Sequence, residues 1–130
     1  MSVFNVQIEA GNPDTGQKMA SPLEALVDTG SELTWLPAAV LREIGVMPHR
    51  KRTVLDAAKQ RVQREVGHVM LYSHGRKTED EVVFAEPGDR VVIGARTLEG
   101  FGVTMDNKKR RFVSIMSLKP LWQDELVKAA

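Results

Sequence analysis

Asp28 is the residue whose type and setting point most directly to chemistry. It follows the apolar run Ala25–Leu26–Val27 and opens the segment Asp28–Thr29–Gly30–Ser31. A carboxylate at the exit of a buried strand is partly stripped of water. Gly30 allows the backbone to fold close, so that amide N–H groups aim at the carboxylate, and the hydroxyls of Thr29 and Ser31 offer further local hydrogen bonds. Such a group can take a proton from water when ionised and give one when protonated. Working on an amide needs both roles at once, hence two carboxylates that share a proton. No other Asp follows an apolar run into Thr-Gly: Asp56 precedes Ala57, Asp89 precedes Arg90 and Asp106 precedes Asn107. The chain therefore carries half a site, and a twofold homodimer would supply the other half.

The elements that must position Asp28 read mainly as strands. Val3–Ile8 is rich in β-formers, with Val6 and Ile8 on one face and Asn5 and Gln7 on the other. Gly11–Gly16 is a turn signal, so Leu23–Val27 is expected to return as the second strand of a hairpin. Pro37 suits the first turn of a helix, with Val40, Leu41 and Ile44 at helical spacing and Gly45 as its stop. Further strands are expected at Thr53–Leu55, from Val62 to Tyr72, at Thr78–Phe84 and at Val91–Ile93. A helical turn or two follows Gly94, then a hairpin from Val103–Met105 to Phe112–Ile115. Residues 119–130 could form a short helical tail on a single domain spanning 1–130. Many short strands with brief helices imply an all-β fold closed on itself as a β-barrel.

Composition removes several function classes. With 130 residues the chain suits one domain with a real core, and 42% apolar with 27% charged residues is an ordinary globular balance. A net charge of +1 gives little global field for steering onto nucleic acid. There are no cysteines, which excludes disulfide scaffolds, thiolate zinc sites and cysteine nucleophiles. No run approaches the roughly 20 apolar residues that span a bilayer. No basic, then apolar leader opens the sequence, so a cytoplasmic protein without membrane contact is expected.

The pattern Asp28–Thr29–Gly30–Ser31, then Trp35 and Pro37, resembles the aspartic proteases, and the length of the chain points to the single-domain retropepsin-like branch, clan AA. Val91–Leu98 is similar to that family's second signature, in which apolar residues such as Ile93 and then Gly94 lead into a short helix. Gly94 is assigned a structural role in that passage. The likeness extends from about Val3 to Met105, although only these two segments are specific. One departure stands out: retroviral members usually place Arg directly after the Gly, whereas this chain has Ala95 and then Arg96. The salt bridge made by that Arg is therefore expected to be absent or rearranged.

The resemblance implies a homodimeric endopeptidase acting on a peptide or protein substrate, with no cofactor. Asp28 of each copy would hold the lytic water. Gly30 would supply backbone donors, Thr29 would bond across the twofold axis, and Ser31 would bond the outer carboxylate oxygen. The hairpin near Thr53–Val62 would be the flap, with Ala57, Ala58, Lys59 and Gln60 at its tip.

Plainer readings stand beside these. Asp28 could be an ordinary Asx-turn cap, but Ser31, Trp35, Pro37 and the later Gly94 segment favour catalysis. Trp35 is read as a core residue. His49, His68 and His74 are read as solvated or satisfied groups, with no metal expected. The basic runs His49–Arg52 and Lys108–Arg111 are read as solvated loops, and no interleaved aromatics suggest nucleic-acid binding. The two rival functions are a catalytically silent dimer that binds peptide or organises assembly, and a small barrel that binds nucleic acid.

Overall fold

Alternation of side chains builds the first hairpin. In the computed structural model, which describes residues 4–106, 108–109 and 111–114, β1 (Asn5–Gly11) buries Val6, Ile8 and Ala10 and leaves Asn5 and Gln7 exposed. It pairs antiparallel with β2 (Leu23–Val27). The expected turn is held by Asn12, whose Oδ1 accepts the N–H groups of Asp14 at 2.8 Å and Thr15 at 3.2 Å. Its amide also donates 3.0 Å to the carbonyl of Ile44, tying this turn to the end of the first helix.

β3 (Thr34–Pro37) runs directly into α1 (Ala38–Glu43). Pro37 ends the strand and stands just before the helix, where a residue without an N–H costs nothing. Leu41 and Ile44 are buried, and Gly45 turns the chain out at φ +81°. A long hairpin follows, formed by β4 (Arg50–Leu55) and β5 (Arg61–Ser73), and β5 continues antiparallel to β6 (Arg76–Ala85). β4 starts three residues before the expected Thr53, because Arg50 pairs with Val66, and all of the basic run except His49 lies in the strand. The reading of His49–Arg52 as a solvated loop is therefore corrected.

β7 (Val92–Ile93) is short and lies between the two segments that flank Asp28. It runs parallel to β2, with Leu26 opposite Val92 and Val27 opposite Ile93, and antiparallel to β3 through Trp35. The sheet order β1-β2-β7-β3-β6-β5-β4, with a further β1–β5 pairing, closes six strands into a ring and leaves β4 as the outer arm of a hairpin. After β7 come α2 (Ala95–Phe101) and the hairpin β8 (Val103–Asp106) and β9 (Arg111–Ser114). Lys108 and Lys109 occupy the β8–β9 turn, and Arg111 faces Asp106 across it at 3.9 Å. The expected helical tail at 119–130 lies outside the described residues.

Two apolar clusters result. The ring encloses Ile8, Leu36, Leu41, Leu71, Phe84 and Ile93, each 2% exposed or less, and each such side chain contributes roughly 1.5–3 kcal/mol by leaving water. A smaller cluster of Leu33, Trp35, Val66, Val83, Ala85 and Val92 underlies the β4–β5 hairpin, with Val54 and Val62 packed on it. Trp35 is 5% exposed, a core residue as expected.

Candidate active site

Asp28 leaves β2 beside β7, where its N–H donates to the Ile93 carbonyl at 3.0 Å. The chain then turns at once, the Ser31 N–H reaching the Asp28 carbonyl at 3.1 Å. This turn brings the Gly30 N–H to 2.9 Å from Asp28 Oδ1, the donor expected from the sequence. The outer oxygen, Oδ2, accepts from Arg90 Nη2 at 2.7 Å. Ser31 differs from expectation: its hydroxyl donates to the Leu33 carbonyl at 2.7 Å and does not hold the outer oxygen. The reason is geometric, since the tight turn already commits Ser31 to bridging within its own loop. Thr29 is exposed, and among the described residues its hydroxyl has no hydrogen-bond partner.

The second signature segment fixes this loop from behind. The N–H groups of Ala95 and Arg96 donate to the carbonyls of Ser31 and Glu32 at 2.8 and 3.0 Å. At Gly94 a Cβ would stand 2.4 Å from the Leu33 carbonyl oxygen and 2.8 Å from that of Ser31, so only hydrogen fits there. Beneath it runs a buried relay. The Gly94 N–H donates to Thr34 Oγ1 at 2.9 Å, the Thr34 and Thr97 hydroxyls meet at 2.6 Å, and Thr97 donates to Asp80 Oδ2 at 3.0 Å. The Thr97 proton is committed to Asp80, so the proton between the two hydroxyls must be that of Thr34. The relay thus has one direction, ending on a carboxylate that also accepts the Glu81 N–H.

Arg96 does not reach the Asp28 loop with its side chain; its guanidinium stands 3.7 Å from Asp80 Oδ1. The salt bridge expected to be absent or rearranged is rearranged to Asp80, while Arg90 supplies the cation beside Asp28. Sequence reading missed Arg90, Thr34, Thr97 and Asp80. The available signals were a threonine inside the apolar run Leu33–Leu36 and an arginine just before β7.

The β4–β5 hairpin arches over the same loop. Its tip, Asp56 to Gln60, is closed by Asp56, whose Oδ1 accepts the N–H groups of Ala58 and Gln60, each at 2.9 Å. Ala57, Ala58, Lys59 and Gln60 are all exposed, and Lys59 takes a positive φ of 66°. The Lys59 ammonium hangs over the Asp28 turn, 3.8 Å from where a Cβ on Gly30 would stand. Between hairpin and loop lies a cleft of about 690 Å³, whose wall includes Asp28, Gly30, Trp35, Val54, Ala58 and Arg90. Trp35 thus lines this cleft as well as filling the core.

At the base of the hairpin, Glu81 is buried and ringed by two arginines and a histidine. Arg52 Nη1 stands 2.7 Å away, Arg50 Nη2 3.1 Å, and His49 Nε2 2.8 Å. Burial opposes its ionisation, but the hydrogen bonds and charges of Arg50 and Arg52 prevail and hold its pKa down at about 2. His68 stacks on His49 with ring centroids 4.7 Å apart, so the two imidazoles and Glu81 have the donor types of a metal site. Two guanidiniums already neutralise the carboxylate, a setting that repels a further cation. Across the hairpin Asp89 takes a two-point contact from Arg64 at 2.8 and 2.9 Å, which lowers the pKa of Asp89 and raises that of Arg64.

No protein-family model matches this sequence, and no curated protein matches it. Solved structures do. The chain is similar to the foamy viral protease-reverse transcriptase at TM-score 0.53 and 22% identity over 75% of its length. It spans only 12% of that protein. It is similar to the simian foamy virus (mac) protease at TM-score 0.50 and 22% identity, covering 74% of this chain and 92% of that one. It is also similar to an inhibitor complex of EIAV protease at TM-score 0.51 and 19% identity, covering 79% and 91%. The ring of six strands, the inserted β7 and the hairpin above the cleft are thus the retropepsin-like fold.

Proposed function

We propose that the chain is an aspartic endopeptidase that works as a homodimer, with Asp28 of each copy forming one dyad. A single observation carries the reading: in a retropepsin-like fold, the Asp28 carboxylate opens into a large cleft and is oriented by the Gly30 N–H at 2.9 Å. The second carboxylate must come from a second copy, because among the described residues no other Asp lines the cleft from an equivalent turn. Asp56 is bound to the hairpin backbone and Asp89 to Arg64. Thr29, exposed beside Asp28, is free to bond across the twofold axis.

In such a dimer one Asp28 is ionised and takes a proton from water as the water oxygen attacks the amide carbon. The other, protonated, gives its proton to the carbonyl oxygen. The tetrahedral diol then collapses: the C–N bond breaks, one diol hydroxyl returns its proton to the ionised Asp28 as the carboxyl group forms, and the amine nitrogen takes the proton of the other Asp28, which leaves the dyad with its single shared proton. The hairpin tip, with Ala57 and Ala58 toward the cleft, would cover the peptide and exclude bulk water. Asp28→Asn should abolish hydrolysis of a peptide library while leaving the circular dichroism spectrum unchanged. Cleavage at the wild-type rate would falsify the assignment.

A second reading has one observation in its favour. Arg90 engages Asp28 at 2.7 Å, and a carboxylate held by a guanidinium would suit a peptide-binding dimer that does not hydrolyse. Tight binding of a pepstatin-type transition-state mimic distinguishes the two, since it requires a working dyad.

A further inference from the structure

We propose that the cleft selects peptides with an acidic side chain next to the bond placed over Asp28, and that Arg90 reads that side chain with help from Arg61 and Lys59. The inference rests on the peptide-binding reading above and adds a substrate class to it.

Arg90 is the nearest cation to the reacting carboxylate. Its side chain is 45% exposed, and it spends one nitrogen, Nη2, on Asp28. Among the described residues its remaining N–H groups have no partner, so they can receive a second carboxylate in the two-point geometry that guanidinium favours. Lys59, on the hairpin tip, lies over the same turn. Arg61 lines the cleft from the first residue of β5. Neither Lys59 nor Arg61 has a carboxylate partner among the described residues.

The other charges on the wall are differently placed. Arg52 is committed to Glu81 at 2.7 Å, and Asp89 to Arg64 outside the cleft. Asp56 faces its own hairpin amides. Glu32 is the remaining acid on the wall, one carboxylate against the three cations, and it is exposed. Arg90 with donors to spare, and Lys59 and Arg61 with no carboxylate partner, therefore share the cleft wall with Asp28 and with the apolar Leu33, Trp35 and Val92. A basic side chain in that position would face Arg90 or Lys59 with like charge, whereas an acidic one finds donors there.

The test compares three fluorescent peptides that differ at one position beside the scissile bond, carrying Glu, Leu or Lys. Cleavage is followed with the wild-type protein and binding with Asp28→Asn. The Glu peptide is expected to bind at least ten-fold more tightly than the Lys peptide, with the ratio shrinking as salt is raised. Arg90→Glu with Arg61→Glu is expected to reverse the order of the Glu and Lys peptides, each affinity being taken relative to that of the Leu peptide in the same variant. Equal affinity for all three peptides, or a preference for Lys in the wild type, overturns the inference and leaves the peptide-binding reading in place. Failure of every peptide to bind removes that reading itself, and the inference with it.

Discussion

Arg90 and Asp28 are 62 residues apart in sequence, and the guanidinium of one donates to the outer oxygen of the other at 2.7 Å. Both residues line the cleft, with side chains 45% and 25% exposed. An ion pair this wet contributes at most about 1 kcal/mol to folding. Arg90→Ala should therefore lower the unfolding free energy by less than about 1 kcal/mol in urea titrations. Any larger change in peptide cleavage then reports on the site rather than on the fold.

The buried relay predicts a larger cost. Thr97→Val deprives Asp80 of a donor and Thr34 of an acceptor, and all three groups are buried. Each unsatisfied buried group costs roughly 1–3 kcal/mol, so a loss of at least that size is expected in urea denaturation. Because Thr34 also receives the Gly94 N–H, peptide hydrolysis should fall as well. A variant as stable as the wild type would show that the relay contributes nothing.

Gly94→Ala tests how tightly the second segment backs the Asp28 turn. The added methyl would meet two backbone carbonyls, those of Leu33 and Ser31, which cannot rotate away as a side chain would. Overpacking costs about 1–3 kcal/mol or more, and here it should displace the Asp28 turn itself. The expected result is loss of both thermal stability and activity. Unchanged melting would contradict the close approach.

Acid should weaken the fold through Glu81. Its pKa drops from an ordinary 4.5 to about 2, so the folded state binds its proton less readily than the unfolded state. The stabilisation is therefore complete above about pH 4.5 and is lost as pH falls toward 2, with a magnitude of roughly 3 kcal/mol. Asp89, lowered by Arg64, adds in the same direction. Urea denaturation between pH 5 and pH 2.5 should show this decline, and Glu81→Gln should flatten it. A slope unchanged in that variant would assign the acid sensitivity elsewhere.

What could be read from sequence was local. β2 and the turn after it are contiguous, so Ala25–Val27 followed by Asp28–Ser31 announced both strand and carboxylate. Helix α1 was visible because Leu41 and Ile44 face the core one turn apart, with Gly45 to stop it. Long-range pairing was hidden. His49–Arg52 looks like a solvated basic run until β6 brings Glu81 against it, about 30 residues later. Arg90 looks like a turn residue, and nothing near it in sequence names Asp28 as its partner. Ser31 looked like a ligand of the carboxylate, but its hydroxyl is used within its own loop.

The central claim is that neither copy hydrolyses peptide alone, and mixing tests it most directly. Wild-type chain at fixed concentration is titrated with Asp28→Asn chain while peptide cleavage is followed. Shared dyads predict that activity falls toward zero as mixed pairs replace wild-type pairs. Cleavage that stays constant per wild-type chain throughout the titration would contradict the shared site.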